Sequence, residues 1–146
     1  QNSENLLPIV METALGSRNS MQVFGDDYKT SDGTCIRDYI HVCDLAQAHI
    51  LATRHLQHNG DCLSLNLGTG KGHSILEIIA AIERVTGYKT PWTPAKRRAG
   101  DPPVLVADPS KALQTLGFKA CQSSLRTILR DAAPTFGLEV LDDVCA

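Results

Sequence analysis

The sequence has no uninterrupted apolar stretch that approaches the roughly 20 residues of a membrane-spanning helix. Its polar opening, residues 1–4, also lacks the basic and apolar regions of a signal peptide. The five cysteines are scattered and none forms a C-x-x-C pair, so the sequence indicates neither a disulfide framework nor a zinc ribbon. We therefore expect no membrane partner and a cytoplasmic location.

Charge of either sign is not in excess. The 146 residues include 14 Lys and Arg against 16 Asp and Glu, a formal net charge of −2. Extended binding to nucleic acid depends on clustered basic side chains that face the phosphate backbone, so we expect no nucleic-acid partner. The length, with 42% hydrophobic residues, is that of one globular domain with one core.

Helix and strand patterns alternate in the first half of the chain. The predicted elements there are a helix opened by Pro8 and ended by Gly16, strands at residues 21–24 and 36–42, and a helix capped by Asp44. The second strand places Arg37, Tyr39 and His41 on one face, because successive side chains in a strand point to opposite sides. This strand therefore presents polar side chains.

The second half contains one clear α/β unit. Alternating leucines at residues 63–67 predict a strand, glycines follow in residues 68–72, and a Ser74–Glu77 capping box opens a helix that Gly87 ends. The remaining predicted elements are a strand at 88–93, an irregular proline-flanked loop at 94–103, a helix from Asp108 to Gly117, and a helix that begins at Ser123 or Ser124. The fold class is mixed α/β.

Two site motifs fail on their spacing. A dinucleotide fingerprint G-x-G-x-x-G that starts at Gly68 needs a sixth-position glycine, and that position is His73. We therefore favour a tight strand-to-helix turn over a phosphate cradle. The histidines near Cys43 lack the spacing of metal ligands, so we predict no metal site.

The stronger chemical signal is a set of arginines in turn or strand settings. Arg37 stands beside Asp38, and Lys96-Arg97-Arg98 precedes Asp101 by a few residues. Guanidinium groups bind phosphate through two parallel hydrogen bonds, and a nearby carboxylate can accept hydrogen bonds from ribose hydroxyls. By spacing alone, a solvated basic loop is an equally good interpretation.

Longer motifs occur in a fixed order along the chain. They are N-L-L-P at residues 5–8, V-F-G-D-D-Y at 23–28, D-G-T-C-I-R-D-Y-I-H-V-C-D-L-A at 32–46, N-L-G-T-G at 66–70, R-R-A-G-D-P at 97–102 and A-D-P-S-K at 107–111. Together they resemble the C-terminal part of the UDP-glucose 4-epimerase family, which are extended short-chain dehydrogenases/reductases. The resemblance runs from about residue 5 to residue 133.

The resemblance implies a UDP-hexose site. It places Asn5 and Leu6 in the segment that contacts the nucleotide sugar, although Glu4 stands where the family has another asparagine. The other implied substrate-binding residues are Gln22, Val23 and Phe24 beside the uracil, Arg37 and Arg98 on the diphosphate, and Asp101 at the ribose. Leu105 matches a position near the sugar. The implied substrate is therefore a UDP-hexose.

The resemblance also implies NAD-dependent interconversion of UDP-glucose and UDP-galactose through a 4-keto intermediate. That chemistry uses a tyrosine followed four residues later by lysine. The three tyrosines of this chain are followed at that distance by Asp32, Cys43 and Trp92. We therefore assign no catalytic and no cofactor-binding residue, and expect NAD to be bound by a Rossmann-type N-terminal domain that this chain lacks.

These implications define the expected organisation. Residues 1–136 form the UDP-sugar-binding domain, residues 137–146 are an unassigned tail, and the chain is a fragment that does not turn over alone. The strand at residues 63–67 is expected to join a sheet that the missing N-terminal half completes. The intact enzyme is expected to be a homodimer. Two alternatives stay open, namely a nucleotide-sugar binding module without chemistry, and another UDP-sugar enzyme of the superfamily, such as a UDP-uronate epimerase or decarboxylase.

Overall fold

The structure of the protein, a computed structural model, describes residues 5–141 and mixes helices with short strands. The helices are α1 (Leu6–Ala14), α2 (Val42–Gln57), α3 (Ile75–Thr86), α4 (Ser110–Leu116) and α5 (Leu125–Ala132), followed by a 3-10 turn at Ala133–Phe136. The strands are β1 (Met21–Phe24), β2 (Ile36–Asp38), β3 (Gly72–Ser74), β4 (Trp92–Ala95) and β5 (Val104–Leu105). The predicted α/β class is confirmed. Glu4, which replaces an asparagine of the family pattern, and residues 142–146, which are part of the expected tail, lie outside the described residues.

The strands form two small sheets. In one, β1 pairs with β4 in parallel. In the other, β2 lies between antiparallel β3 and parallel β5. The prediction of an irregular segment at 94–103 is thus wrong at its start, since Pro94 lies inside β4. The N–H of Gly25 donates to the carbonyl of Ala95, so the backbone polar groups of Ala95 face β1. Because these groups point to opposite edges in successive residues of a strand, the nitrogen of Pro94 faces away from β1, and its missing N–H removes no hydrogen bond between the two strands.

The start of α2 differs from the prediction. The strand ends at Asp38, and His41 caps the helix because its Nδ1 accepts from the N–H of Cys43 at 3.1 Å. Asp44, the predicted cap, is instead buried in the first turn of the helix. Its carboxylate accepts from the N–H of Gln122 at 2.8 Å and from the Ser123 hydroxyl. Asp44 therefore anchors the distant segment at Gln122 and Ser123 instead of capping the helix.

Among the described residues, residues 63–67 pair with no neighbouring strand. The sheet that this segment is expected to join is completed by the N-terminal domain, so the strand stays a prediction. Its leucines are still covered in part, because Leu65 and Leu67 pack against a small cluster around Phe118. A strand does form just beyond it, where β3 occupies the end of the predicted glycine turn.

Several local signals are confirmed. The Ser74 hydroxyl accepts from the N–H of Glu77 at 3.1 Å, while the Glu77 carboxylate accepts from the N–H of Ser74 at 2.9 Å. Gly87 ends α3 with φ of 75°, a conformation that costs glycine little. Ser124 caps α5. These features depend on neighbours within one helical turn, so the sequence was sufficient to predict them.

The larger core lies between α1, α3, α5 and β1. Its most deeply buried members are Val10, Met11, Val23, Ile78, Ile82, Leu129 and Ala133. Leu138 belongs to the same cluster, so the start of the predicted tail packs into the domain. None of the helices between residues 5 and 141 has both the length and the apolar character needed to cross a bilayer. This core holds β1 and α1 in place beside the candidate site.

Candidate functional site

A cavity of about 210 Å³ lies between α1, β1, β2 and the loop of residues 96–103 that joins β4 to β5. Six of the eight residues expected to bind substrate line it, namely Leu6, Gln22, Phe24, Arg37, Arg98 and Asp101. A larger groove of about 680 Å³ between α3 and α5 contains none of them. The structure therefore brings the two arginines and the aspartate to one cavity from distant parts of the chain.

Arg37 is held in position by three acceptors. One terminal nitrogen of its guanidinium donates to the carbonyl of Ile36 at 2.7 Å and to that of Pro102 at 3.0 Å, and the other donates to the carboxylate of Asp101. The side chains of Arg37 and Asp101 are only 20% and 29% exposed. Strand β2 thus aims a fixed guanidinium into the cavity and ties it to the loop.

Arg98 is placed differently. Its guanidinium carbon lies 4.0 Å from the centroid of the Phe24 ring, a distance at which the ring face attracts a cation. Phe24 is the last residue of β1, so the end of this strand sets the place of Arg98. The cavity therefore has one arginine in an ion pair and another on an aromatic face.

The charges at the cavity favour an anion. Two guanidiniums face one carboxylate there, which leaves a formal excess of one positive charge. Leu6 and Ile9 from α1 form apolar wall, and a partly dry wall strengthens the hydrogen bonds of a charged ligand. Arg37 also lines a second groove of about 580 Å³, which contains Asn66 and Leu105. Among residues 5–141, Arg37 is the one lining residue that the cavity and this groove share.

Two expected residues lie elsewhere. Val23 is fully buried in the larger core, so its side chain does not reach the cavity. Asn5 is exposed at the N-terminus of α1 and makes no capping hydrogen bond with its side chain. Because Met21 and Gly25 direct their N–H groups to β4, alternation turns the backbone polar groups of Gln22 and Phe24 toward the other edge of β1.

Sequence reasoning missed Cys35 and Tyr39 as cavity residues, although both line it. The signal was present, because these residues stand two positions to either side of Arg37 and a strand repeats every two residues. Burial raises the pKa of Tyr39 to about 12, with a further rise from Cys35 that Arg37 opposes. Burial also raises the pKa of the Cys35 thiol. Neither group is ionised near neutral pH, so neither is a ready base or nucleophile.

The glycine turn at residues 68–70 has a structural role. The Asp38 carboxylate accepts from the N–H groups of Thr69 and Gly70, each at 3.0 Å, and from the Thr69 hydroxyl at 2.6 Å. A Cβ at Gly68 would lie 2.6 Å from an oxygen of Asp38, so only glycine permits this approach. The amides that would hold a pyrophosphate are engaged, and the turn does not fit a dinucleotide.

No metal centre is found in residues 5–141, where no three His, Cys, Asp or Glu side chains converge. Two of the histidine side chains that drew attention in the sequence make local contacts instead. His49 and His58 each hydrogen-bond a carbonyl four residues earlier in α2, at 2.8 and 2.7 Å. Their recurrence therefore reflects the helix that carries them.

A family model described as GDP-mannose 4,6 dehydratase matches residues 2–132. A UDP-glucose 4-epimerase of Halalkalibacterium halodurans is 50% identical over 128 residues, which are 88% of this chain and 38% of that relative. Two solved UDP-glucose 4-epimerases share the fold. One, from Brucella ovis with NAD, has a TM-score of 0.92 and 55% identity, over 95% of this chain and 43% of the other. The other, from Stenotrophomonas maltophila, contains NAD and formylated UDP-arabinopyranose. It has a TM-score of 0.89 and 47% identity, over 92% of this chain and 40% of the other. The chain spans about two-fifths of the length of these relatives.

Proposed function

Because the chain belongs to the GDP-mannose 4,6-dehydratase family, we propose that it is the UDP-hexose-binding part of a UDP-glucose 4-epimerase. The observation that carries the proposal is the meeting of Arg37, Arg98 and Asp101 at one cavity that is walled by apolar side chains. The order of the motifs and the names of the relatives support the same substrate class. Activity is proposed for a longer protein that contains this chain.

The diphosphate is assigned to the space between the two arginines. Each charge-assisted hydrogen bond to a phosphate oxygen contributes about 1.5 to 3 kcal/mol. Arg37 is already oriented by Asp101 and by two carbonyls, so it loses little freedom when the ligand arrives. Oδ1 of Asp101 accepts a hydrogen bond from Arg37, and its Oδ2 is assigned as the acceptor for the ribose hydroxyls.

The two ends of the ligand follow from this placement. The uracil is assigned to the edge of β1 that faces away from β4, where the backbone groups of Gln22 and Phe24 offer both donors and acceptors. The hexose is assigned to the groove beyond Arg37, near Asn66 and Leu105. Strand β1 then selects the base, and the second groove receives the sugar.

The oxidation and reduction at C4 are assigned to groups outside this chain. NAD, which is present in both solved relatives named above, would accept and return the hydride there. The described residues do not fit a dinucleotide, because Asp38 occupies the amides of the glycine turn. Tyr39, with a pKa of about 12, is not a base at neutral pH. The chain by itself therefore binds the substrate and does not convert it.

The remaining features of the proposal concern organisation. Residues 1–136 are assigned to UDP-sugar binding and the rest to a tail of unassigned role. The intact enzyme is assigned as a cytoplasmic homodimer. The absence of cysteine pairs among residues 5–141, where Cys35, Cys43, Cys62 and Cys121 are free thiols, supports a reducing compartment.

Binding and turnover test the proposal directly. The product of the complete reading frame that contains this chain is titrated calorimetrically with UDP, and then assayed with UDP-galactose and with UDP-glucuronate. We expect UDP to bind and UDP-galactose alone to be converted to its C4 epimer. Absence of UDP binding would overturn the site. Conversion of UDP-glucuronate without conversion of UDP-galactose would favour the UDP-uronate alternative, and UDP binding without any turnover would favour the binding module.

A further inference from the structure

Arg97 does not line the cavity, yet it makes three contacts that fasten the loop of residues 96–103. Its Nε donates to Oδ1 of Asp27 at 2.6 Å, and one terminal nitrogen donates to the carbonyl of the same residue. Its guanidinium carbon also lies 4.2 Å from the centroid of the Tyr28 ring. One side chain thus joins the loop to the turn that follows β1.

The backbone allows this close approach only because residue 25 is glycine. Gly25 has φ of 84°, and a Cβ there would lie 2.5 Å from Cε2 of Tyr28 and 2.8 Å from Cγ of Arg97. The Tyr28 ring is 5% exposed and so is itself held in place. The stem of Arg97 therefore lies close to the backbone of Gly25 and its guanidinium lies over the buried Tyr28, while the Asp27 side chain that it binds is 71% exposed.

The two ends of the loop are held by different arginines. At the end that leads to β5, Arg37 binds Asp101 and the carbonyl of Pro102. At the end that leaves β4, the ties are those of Arg97 to Asp27 and Tyr28. Arg98 follows Arg97 directly. Its carbonyl accepts from the N–H of Asp101 at 3.3 Å, and its guanidinium lies on the face of the Phe24 ring. The place of Arg98 therefore depends on the Phe24 ring and also on the anchoring of its neighbour.

On the premise of the UDP-hexose site assigned above, we propose that Arg97 is a positioning residue for diphosphate binding. It acts through Arg98 without contacting the ligand, by locking the start of the loop to Asp27 and Tyr28. In extended backbone, successive side chains point to opposite sides, so Arg97 can contact Asp27 and Tyr28 while Arg98 faces the cavity. The loop then presents a fixed guanidinium to the diphosphate, and less ordering remains to be done when the ligand binds.

The test compares Arg97→Gln with Lys96→Gln in the product of the complete reading frame. Both variants remove one positive charge from the same loop, but only the first removes the contacts to Asp27 and Tyr28. Arg97→Gln is expected to raise the dissociation constant for UDP about fivefold to tenfold, and Lys96→Gln less than about twofold. Arg97→Lys keeps the charge but not the paired contact and is expected to fall between. Asp27→Asn supplies a second way to loosen the anchor if Arg97→Gln folds poorly.

A double variant separates positioning from direct contact. If Arg97 acts through Arg98, then Arg97→Gln combined with Arg98→Ala binds UDP no more than about twofold more weakly than Arg98→Ala alone. Full multiplication of the two effects would overturn the proposal, as would equal effects of Arg97→Gln and Lys96→Gln. If the unaltered protein binds UDP and Arg98→Ala weakens it while Arg97→Gln does not, the positioning role alone fails. If the unaltered protein does not bind UDP, the proposed function fails too.

Discussion

Removal of the Arg98 guanidinium should separate phosphate recognition from folding. In the described structure Arg98 lies on the Phe24 ring at 4.0 Å and is exposed, so Arg98→Ala should lower the free energy of unfolding by no more than about 1 kcal/mol. Its charge-assisted contact with the diphosphate should contribute about 1.5 to 3 kcal/mol to binding. Since about 1.4 kcal/mol corresponds to a tenfold change, the dissociation constant for UDP should rise about 10- to 150-fold.

Calorimetric titration with UDP and with uridine measures this difference, because uridine carries no phosphate. We expect Arg98→Ala to leave the affinity for uridine unchanged within about twofold. Thermal unfolding of the unliganded variant checks that the fold is retained. Equal losses of affinity for UDP and for uridine would refute a role on the diphosphate, because the guanidinium would then act on the base or on the fold. Unchanged affinity for UDP would remove Arg98 from the site altogether.

Three further predictions concern the fold that carries the site. Asp44→Ala leaves two backbone N–H groups and the Ser123 hydroxyl without their acceptor. Urea unfolding should therefore show that the free energy of unfolding falls by about 3 kcal/mol or more. A fall of less than about 1 kcal/mol would contradict the anchoring role of Asp44. Burial raises the pKa of Asp44, but the hydrogen bonds from Ser123 and the backbone outweigh it and hold the pKa below 3.8. The ionised carboxylate therefore stabilises the fold above pH 3.8, and this contribution is lost as the pH falls through the lower pKa of the folded state. Asp44→Asn should make the free energy of unfolding fall less steeply as the pH is lowered through this range. An unchanged dependence on acid pH would contradict this. Gly33→Ala should lower the free energy of unfolding by more than about 1 kcal/mol relative to Gly100→Ala, measured by thermal unfolding. The two glycines have similar φ angles, but a Cβ at Gly33 would lie 2.1 Å from the carbonyl oxygen of Asp26, whereas a Cβ at Gly100 would meet no atom within 4 Å. Equal losses of stability in the two variants would contradict this clash.

The elements that the sequence predicted well are those decided by near neighbours. The capping box at Ser74 and the left-handed glycine at Gly87 each satisfy polar groups of the helix end beside them. The cap at Ser124 is of the same kind. Such interactions close within about four residues, so their pattern is visible in the order of residue types.

The elements that it predicted wrongly depend on partners far along the chain. Asp44 has the side chain of a helix cap, but the loop before α5 supplies donors 77 to 79 residues away and takes the carboxylate. Pro94 joins a strand because parallel β1 needs no donor from it. In both cases a tertiary contact overrode a local preference.

The residue order alone determined the α/β class, the start and end of α3, the start of α5 and, through motifs in a fixed sequence, the resemblance to nucleotide-sugar epimerases. It named Arg37, Arg98 and Asp101 as candidates without showing that they meet. Arg37 and Asp101 are 64 residues apart, and their ion pair exists only because the larger core fixes β1 and α1 while the second sheet brings the loop to β2. A pattern in sequence records short-range preferences, whereas the meeting of distant charges is decided by packing of the whole chain.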